Sequence, residues 1–152
     1  MSQRYSLGVR TSNITTGQAL LEIIAATVLN GGKGCRVLNF RTTMATAPAT
    51  VIGMGRPAVA GVTPTTPVKF QSNENSESGS LTTLALAWAT SPTAPTNFLH
   101  RATMPSSVGG DHDIIPVVAL YGGGWWVPAG GTLVLFNILG GATLDVSIDI
   151  LE

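Results

Sequence analysis

Charge is the scarcest ingredient of this 152-residue chain. Lys and Arg together number 8 and Asp and Glu number 8, so the net charge is zero and only 11% of residues are charged, against about 25% in an ordinary soluble domain. That balance excludes a general binder of phosphate backbones, which needs a clear basic excess, so no nucleic acid is expected as a partner. It also leaves too few charges to cover the surface of a small domain, and the mean hydropathy is +0.32. The outside is therefore either unusually apolar or partly buried against partners. The same figures exclude disorder over most of the length. Cysteine is reduced to Cys35, which excludes an intrachain disulfide and with it a disulfide-framed secreted domain. A chain of this length buries roughly two-thirds of its unfolded surface and needs no such staple. Long hydrophobic runs are missing too. The longest early one, residues 19–29, is too short to cross a bilayer and contains Glu22, so no membrane partner is expected. The first six residues lack the apolar core of a signal peptide, and synthesis in a reducing cytoplasm is the expectation.

What the chain has in quantity is punctuation. It carries 18 Gly and 9 Pro, which leaves few windows for a helix of three turns. Short apolar, β-branched runs between these turn signals predict an all-β fold, an antiparallel β-sandwich or jelly-roll-like barrel, as a single domain over 1–152. Strands are predicted over 3–11, 35–42, 51–57, 67–71, 81–90, 96–103 and 113–121. Within 81–90 the spacing places Leu84, Leu86 and Trp88 on one face. Residues 19–30 suit either a helix or a strand, and the strand is preferred because everything around them is β. The clearest element is at the C-terminal end. Residues 132–139 are apolar on both faces, Gly140-Gly141 offers a two-residue turn, and Leu144, Val146, Ile148 and Ile150 then alternate with Thr143, Asp145, Ser147 and Asp149. This predicts a C-terminal β-hairpin whose last strand is half exposed. Residues 71–80 hold no apolar side chain and are predicted to be a solvated loop.

No constellation carries a chemistry. Asp111-His112-Asp113, with His100 upstream, lacks the spacing of a zinc site. Ser106 and Ser107 stand outside any Gly-x-Ser-x-Gly. Gly31-Gly32-Lys33-Gly34 and Gly53-Met54-Gly55-Arg56-Pro57 lack the rest of a phosphate loop. Cys35 sits in an apolar run, as a small hydrophobe does. No catalytic residue, metal or cofactor is expected. Gly122-Gly123-Gly124-Trp125-Trp126-Val127 is different. Adjacent tryptophans on a strand point to opposite sides, so one enters the core and the other faces away from it. Trp125, Trp126 and Phe136 are the candidate contacts with a partner chain.

Residues 127–137, Val-Pro-Ala-Gly-Gly-Thr-Leu-Val-Leu-Phe-Asn, resemble the last strands of small jelly-roll trimers. The start Tyr5-Ser6-Leu7-Gly8-Val9-Arg10-Thr11, the middle Gly55-Arg56-Pro57-Ala58-Val59-Ala60-Gly61-Val62-Thr63-Pro64 and the charge-poor, Thr/Ala/Gly-rich style resemble the decoration, or cement, proteins of tailed-bacteriophage heads. The resemblance implies a β-rich homotrimer on the outside of a viral capsid. It would bind the major capsid protein and stabilise the shell without catalysis, so that its location is the virion. Other phage parts (tail, fibre or baseplate) and a jelly-roll module binding a ligand or carbohydrate are the alternatives. Under this reading residues 1–12 are a candidate arm, and Arg4, Tyr5 and Arg10 are candidate capsid contacts; the competing reading makes 3–11 the first strand of the chain's own sheet.

Overall fold

The first strand pairs with the last, the second with the next to last, and so on inward. The computed structural model describes residues 3–12, 15–46, 49–73, 79–106, 112–115 and 122–152, with the backbone alone for 112–115. Among them the short runs form β1 (Arg4–Arg10), β2 (Gln18–Ile24), β3 (Cys35–Met44), β4 (Thr50–Gly55), β5 (Val62–Pro64), β6 (Val68–Lys69) and β7 (Gln71–Ser72). The second half supplies β8 (Thr83–Ala85), β9 (Trp88–Thr90), β10 (Phe98–Met104), β11 (His112–Ile115), β12 (Trp125–Val127), β13 (Thr132–Leu139) and β14 (Leu144–Leu151). One sheet runs β11-β3-β14-β1-β7, with β12 also on the outer edge of β3; the second runs β10-β4-β13-β2-β8-β6; β5 and β9 make a separate ribbon. All pairings are antiparallel: β1 with β14, β2 with β13, β3 with β11 and β12, and β4 with β10. Such nested pairing, falling alternately in two sheets, is jelly-roll connectivity. No ladder joins the two sheets among the described residues, so the architecture is a sandwich and the closed-barrel alternative is dropped.

Alternation decides what lies between the sheets. Ile148 and Ile150 of β14, Val37 and Phe40 of β3, Leu21 and Ile23 of β2, and Leu133 and Leu135 of β13 are all buried in one apolar cluster. Each such side chain contributes roughly 1.5–3 kcal/mol of burial. The odd-numbered residues of β14 face outward. Residues 18–24 are strand, and the chain then leaves the sheet for a single 3-10 turn, Val28–Asn30, closed by Gly31 at φ 79°.

Four expectations need correction. The C-terminal hairpin does not form: β13 lies between β2 and β4, whereas β14 lies between β1 and β3 in the other sheet. Residues 140–143 carry the chain across the sandwich, tied down where Ala142 N donates to Thr50 Oγ1 at 3.0 Å and Leu144 N to Thr11 Oγ1 at 3.0 Å. Two strands with strong apolar faces bury more by packing face to face at the centres of opposite sheets than by pairing edge to edge. The single strand over 81–90 is broken at Leu86–Ala87, where both amides donate to Thr66 Oγ1 at 2.9 Å and Ala87 O accepts from Thr65 N. Leu84 therefore stays in the core and Trp88 moves to the outer ribbon. The 71–80 loop is structural at both ends, since β7 pairs with β1 and Ser80 is buried; residues 74–78 lie outside the described residues. Residues 4–10 are not an arm but a strand in register with β14 along its whole length.

Candidate functional site

The two sheets have unlike outer faces, and the difference places most of the candidate residues. On β1, β3 and β14 the outward positions are mostly polar. Ser6 Oγ donates to Asp149 Oδ1 at 2.5 Å, and Asn39 Nδ2 to Asp149 Oδ2 at 3.1 Å. Arg10 meets Asp145 through two bonds, Nε to Oδ1 at 2.7 Å and Nη2 to Oδ2 at 2.8 Å. The Arg10 hydrogen bond holds the Asp145 carboxyl below its usual range, and Asp145 in turn raises the guanidinium. Both side chains are largely exposed, so water and salt screen the pair. Arg4 is exposed on the same strand. Tyr5 is not available as a capsid contact: its ring is buried in the core and its hydroxyl donates to Gln3 Oε1 at 2.6 Å.

On the β13 sheet the outer face is apolar and covered by the chain itself. Two stretches of the chain between β4 and β10, residues 56–66 and 87–97, which contain β5 and β9, cross it as a strap. Phe136, a candidate contact with a partner chain, packs there with Ala19 and Val134 under Trp88 and Phe98, so the chain itself covers it. The strap is held by Glu22, which is fully buried. Its carboxylate accepts from Trp88 Nε1 at 2.8 Å and from Gly61 N at 3.2 Å. Acidic side chains are almost never fully buried without partners, so an acid inside an apolar run was the available sign of such a latch.

The tryptophans divide as adjacent strand residues must. Trp125 is in the core, which removes it as an oligomer contact. Trp126 is 41% exposed, lies under the Arg36 guanidinium at 5.2 Å, and has its carbonyl bonded by Arg56 Nη2.

One end of the sandwich gathers the loop between β2 and β3, the segment 79–82 and Glu152. The Glu152 carboxylate accepts from Ser80 Oγ at 2.8 Å, Leu81 N at 3.0 Å, and Thr82 N and Oγ1 at 3.1 Å. A cavity of about 310 Å³ opens there, lined by Tyr5, Gly31, Lys33, Gly79, Leu81 and Glu152. Beside it Val28 and Leu29 are 75% and 98% exposed, and Leu81 is 48% exposed. In the sequence 28–29 are only the tail of the apolar run 19–29. Elsewhere Val59 and Val62 are exposed on the strap, Leu99 on β10 and Leu139 at the opposite end.

For chemistry the arrangement provides little. Among the described residues no three His, Cys, Asp or Glu side chains come together; Asp111 and the side chains of His112 and Asp113 lie outside the described residues. Cys35 is fully buried, and burial pushes its thiol up to about 11, with the Glu152 charge adding to the rise and a Thr82 hydrogen bond opposing it. No helix among the described residues is long and apolar enough to cross a membrane. A scan of protein-family models and a search of curated proteins find no match to this chain.

Proposed function

We propose that the chain is a structural virion protein, a decoration subunit that binds the outside of a phage capsid as a homotrimer, against the major capsid protein, and stabilises the shell. The observation that carries the reading is the distribution of exposed apolar side chains. Large ones stand at both ends of the sandwich, on the strap and at the sheet edges, on a frame whose one polar outer sheet is left to face water. A ligand-binding module concentrates its recognition in one pocket with convergent polar groups; a subunit wedged among neighbours needs apolar surface on several sides. The jelly roll suits the task because its central strands are paired on both sides, so load on one element is shared by the next. No catalytic step belongs to this reading.

The test is to add the purified protein to phage capsids that lack a decoration layer. Saturable binding seen by electron microscopy, together with a higher disruption temperature of the shell, is the expected result. With 8 cations and 8 anions in the whole chain, few contacts are ionic, and those weaken with salt while apolar contacts do not. Occupancy should therefore persist in high salt. Empty capsid surfaces, or release at moderate salt, would overturn the proposal.

A further inference from the structure

We infer that the end of the sandwich carrying the loop between β2 and β3 is the self-association surface, and that its occupant is the same end of another copy of this chain. The inference rests on the oligomeric part of the reading above. Turn apices normally carry Gly, Asn, Asp or Ser. Here the 3-10 turn presents Val28 and Leu29 instead, 75% and 98% exposed, with no buried residue in the turn. These side chains do nothing for the chain's own core. Beside this knob lies the matching hollow of about 310 Å³, with Tyr5 and Leu81 supplying apolar wall and Gly31 leaving the mouth open. Leu81 is held at the wall by the carboxylate of Glu152, which fixes the backbone on both sides of it.

Charge selects the occupant. Lys33 and Glu152 flank the hollow. Lys33 has no ion-pair partner among the described residues, and Glu152 is bonded by neutral donors. One cation and one anion on the same rim are self-complementary under a rotation axis, because Lys33 of one copy then faces Glu152 of the next. A knob and a hole on one end are likewise satisfied in a closed ring of copies. A strongly basic or acidic partner fits this rim less well than the chain fits itself. Size agrees: a standard interface takes about 800 Å² per partner, about a tenth of this chain's 7433 Å², on the order of one end of a two-sheet sandwich.

Light scattering coupled to size exclusion at micromolar concentration reads the outcome. The wild-type chain should run at a multiple of 15.7 kDa. Leu29→Asp, at a site outside the core, should run as the 15.7 kDa monomer with unchanged circular dichroism and thermal midpoint. Lys33→Glu, which sets like charges together, should weaken association about tenfold or more, an effect that shrinks as salt is added. The double variant Leu29→Cys, Leu81→Cys should form a disulfide between chains under oxidation. A wild-type monomer, a Leu29→Asp protein of wild-type mass, or oxidised cysteines that join no chains would each overturn the surface. Should Leu29→Asp fail to fold, Lys33→Glu and the disulfide decide. Capsid binding measured in parallel separates the two readings. Wild-type decoration with Leu29→Asp still oligomeric sinks this surface alone, whereas a monomeric Leu29→Asp beside a wild-type chain that binds no capsid sinks the decoration reading alone.

Discussion

Cys35 and Gly34 are neighbours whose constraints are opposite in kind. Cys35 is limited by what surrounds it. Its thiol is fully buried and its folded value, about 11, lies above the ordinary 9.0. The unfolded chain thus ionises first as pH rises. The neutral thiol's contribution to stability is complete below pH 9 and is lost between there and pH 11, up to about 3 kcal/mol over two units. Urea midpoints of the wild type should fall over that window, and those of Cys35→Ser should not fall in the same way. In the native protein at neutral pH Cys35 should resist thiol reagents and react fully on denaturation; rapid native labelling would mean that the burial is wrong. Gly34 is limited by its own backbone. It sits at φ +87°, and an added Cβ would lie 2.5 Å from Val127 O and 2.8 Å from Trp126 Cη2. Gly34→Ala should cost about 2 kcal/mol or more and should shift Trp126 fluorescence, because the indole loses the seat that a missing side chain provides.

At the scale of elements, β1 and the strap around β5 and β9 make different demands. β1 fills the space between β14 and β7 and sends Tyr5 into the core. Deleting residues 2–11 should therefore yield a chain that aggregates or shows no cooperative melt, rather than a folded oligomer with an arm removed. A folded, monodisperse truncation would contradict the ladder. The strap depends on Glu22. Glu22→Ala removes the acceptor for Trp88 Nε1 and Gly61 N and should cost about 1–3 kcal/mol. The loss should be local. Hydrogen exchange should quicken around Gly61 and Trp88, while β3 and β14 keep their protection. Uniform quickening across both sheets would show that the strap is integral to the sandwich.

For the whole molecule the nested pairing has a kinetic consequence. β14 is central in its sheet and pairs with β1 and β3, and β13 pairs with β2 and β4. The second sheet cannot be completed before residues 132–139 are present, nor the first before residues 144–151. Such long-range pairing is slow, with folding in milliseconds to seconds, and removal of residues 144–152 should abolish folding outright. A truncated chain that still melts cooperatively would contradict this. The exposed apolar side chains on several sides should also make the free protein prone to association at high concentration, more so in high salt than in low, since burial of apolar surface and not ion pairing drives it.

Local sequence was enough for the all-β class, for most strand positions and for the inward and outward residues of β14, because side-chain alternation and turn residues are properties of a few neighbours. It was also enough to divide Trp125 from Trp126 across the sheet, though not to say which one is inside. Partnership was decided elsewhere. Residues 132–139 announced cover on both faces, but only the fold shows that the strap around β5 and β9 lies over the outer one and encloses Phe136. Gly140-Gly141 permits a hairpin as readily as a crossing between sheets. The choice went to the crossing because β1, β2, β3 and β4, far away in the chain, offer each C-terminal strand two partners. The same holds for the candidate surface. Lys33 and Leu81, 48 positions apart, and Glu152 beyond them meet at one rim only because the pairing of the strands brings the β2–β3 loop, the segment before β8 and the end of β14 to the same end of the sandwich. Alternation is short-ranged and written in each segment; adjacency is long-ranged, and the free energy of the whole packed molecule settles it.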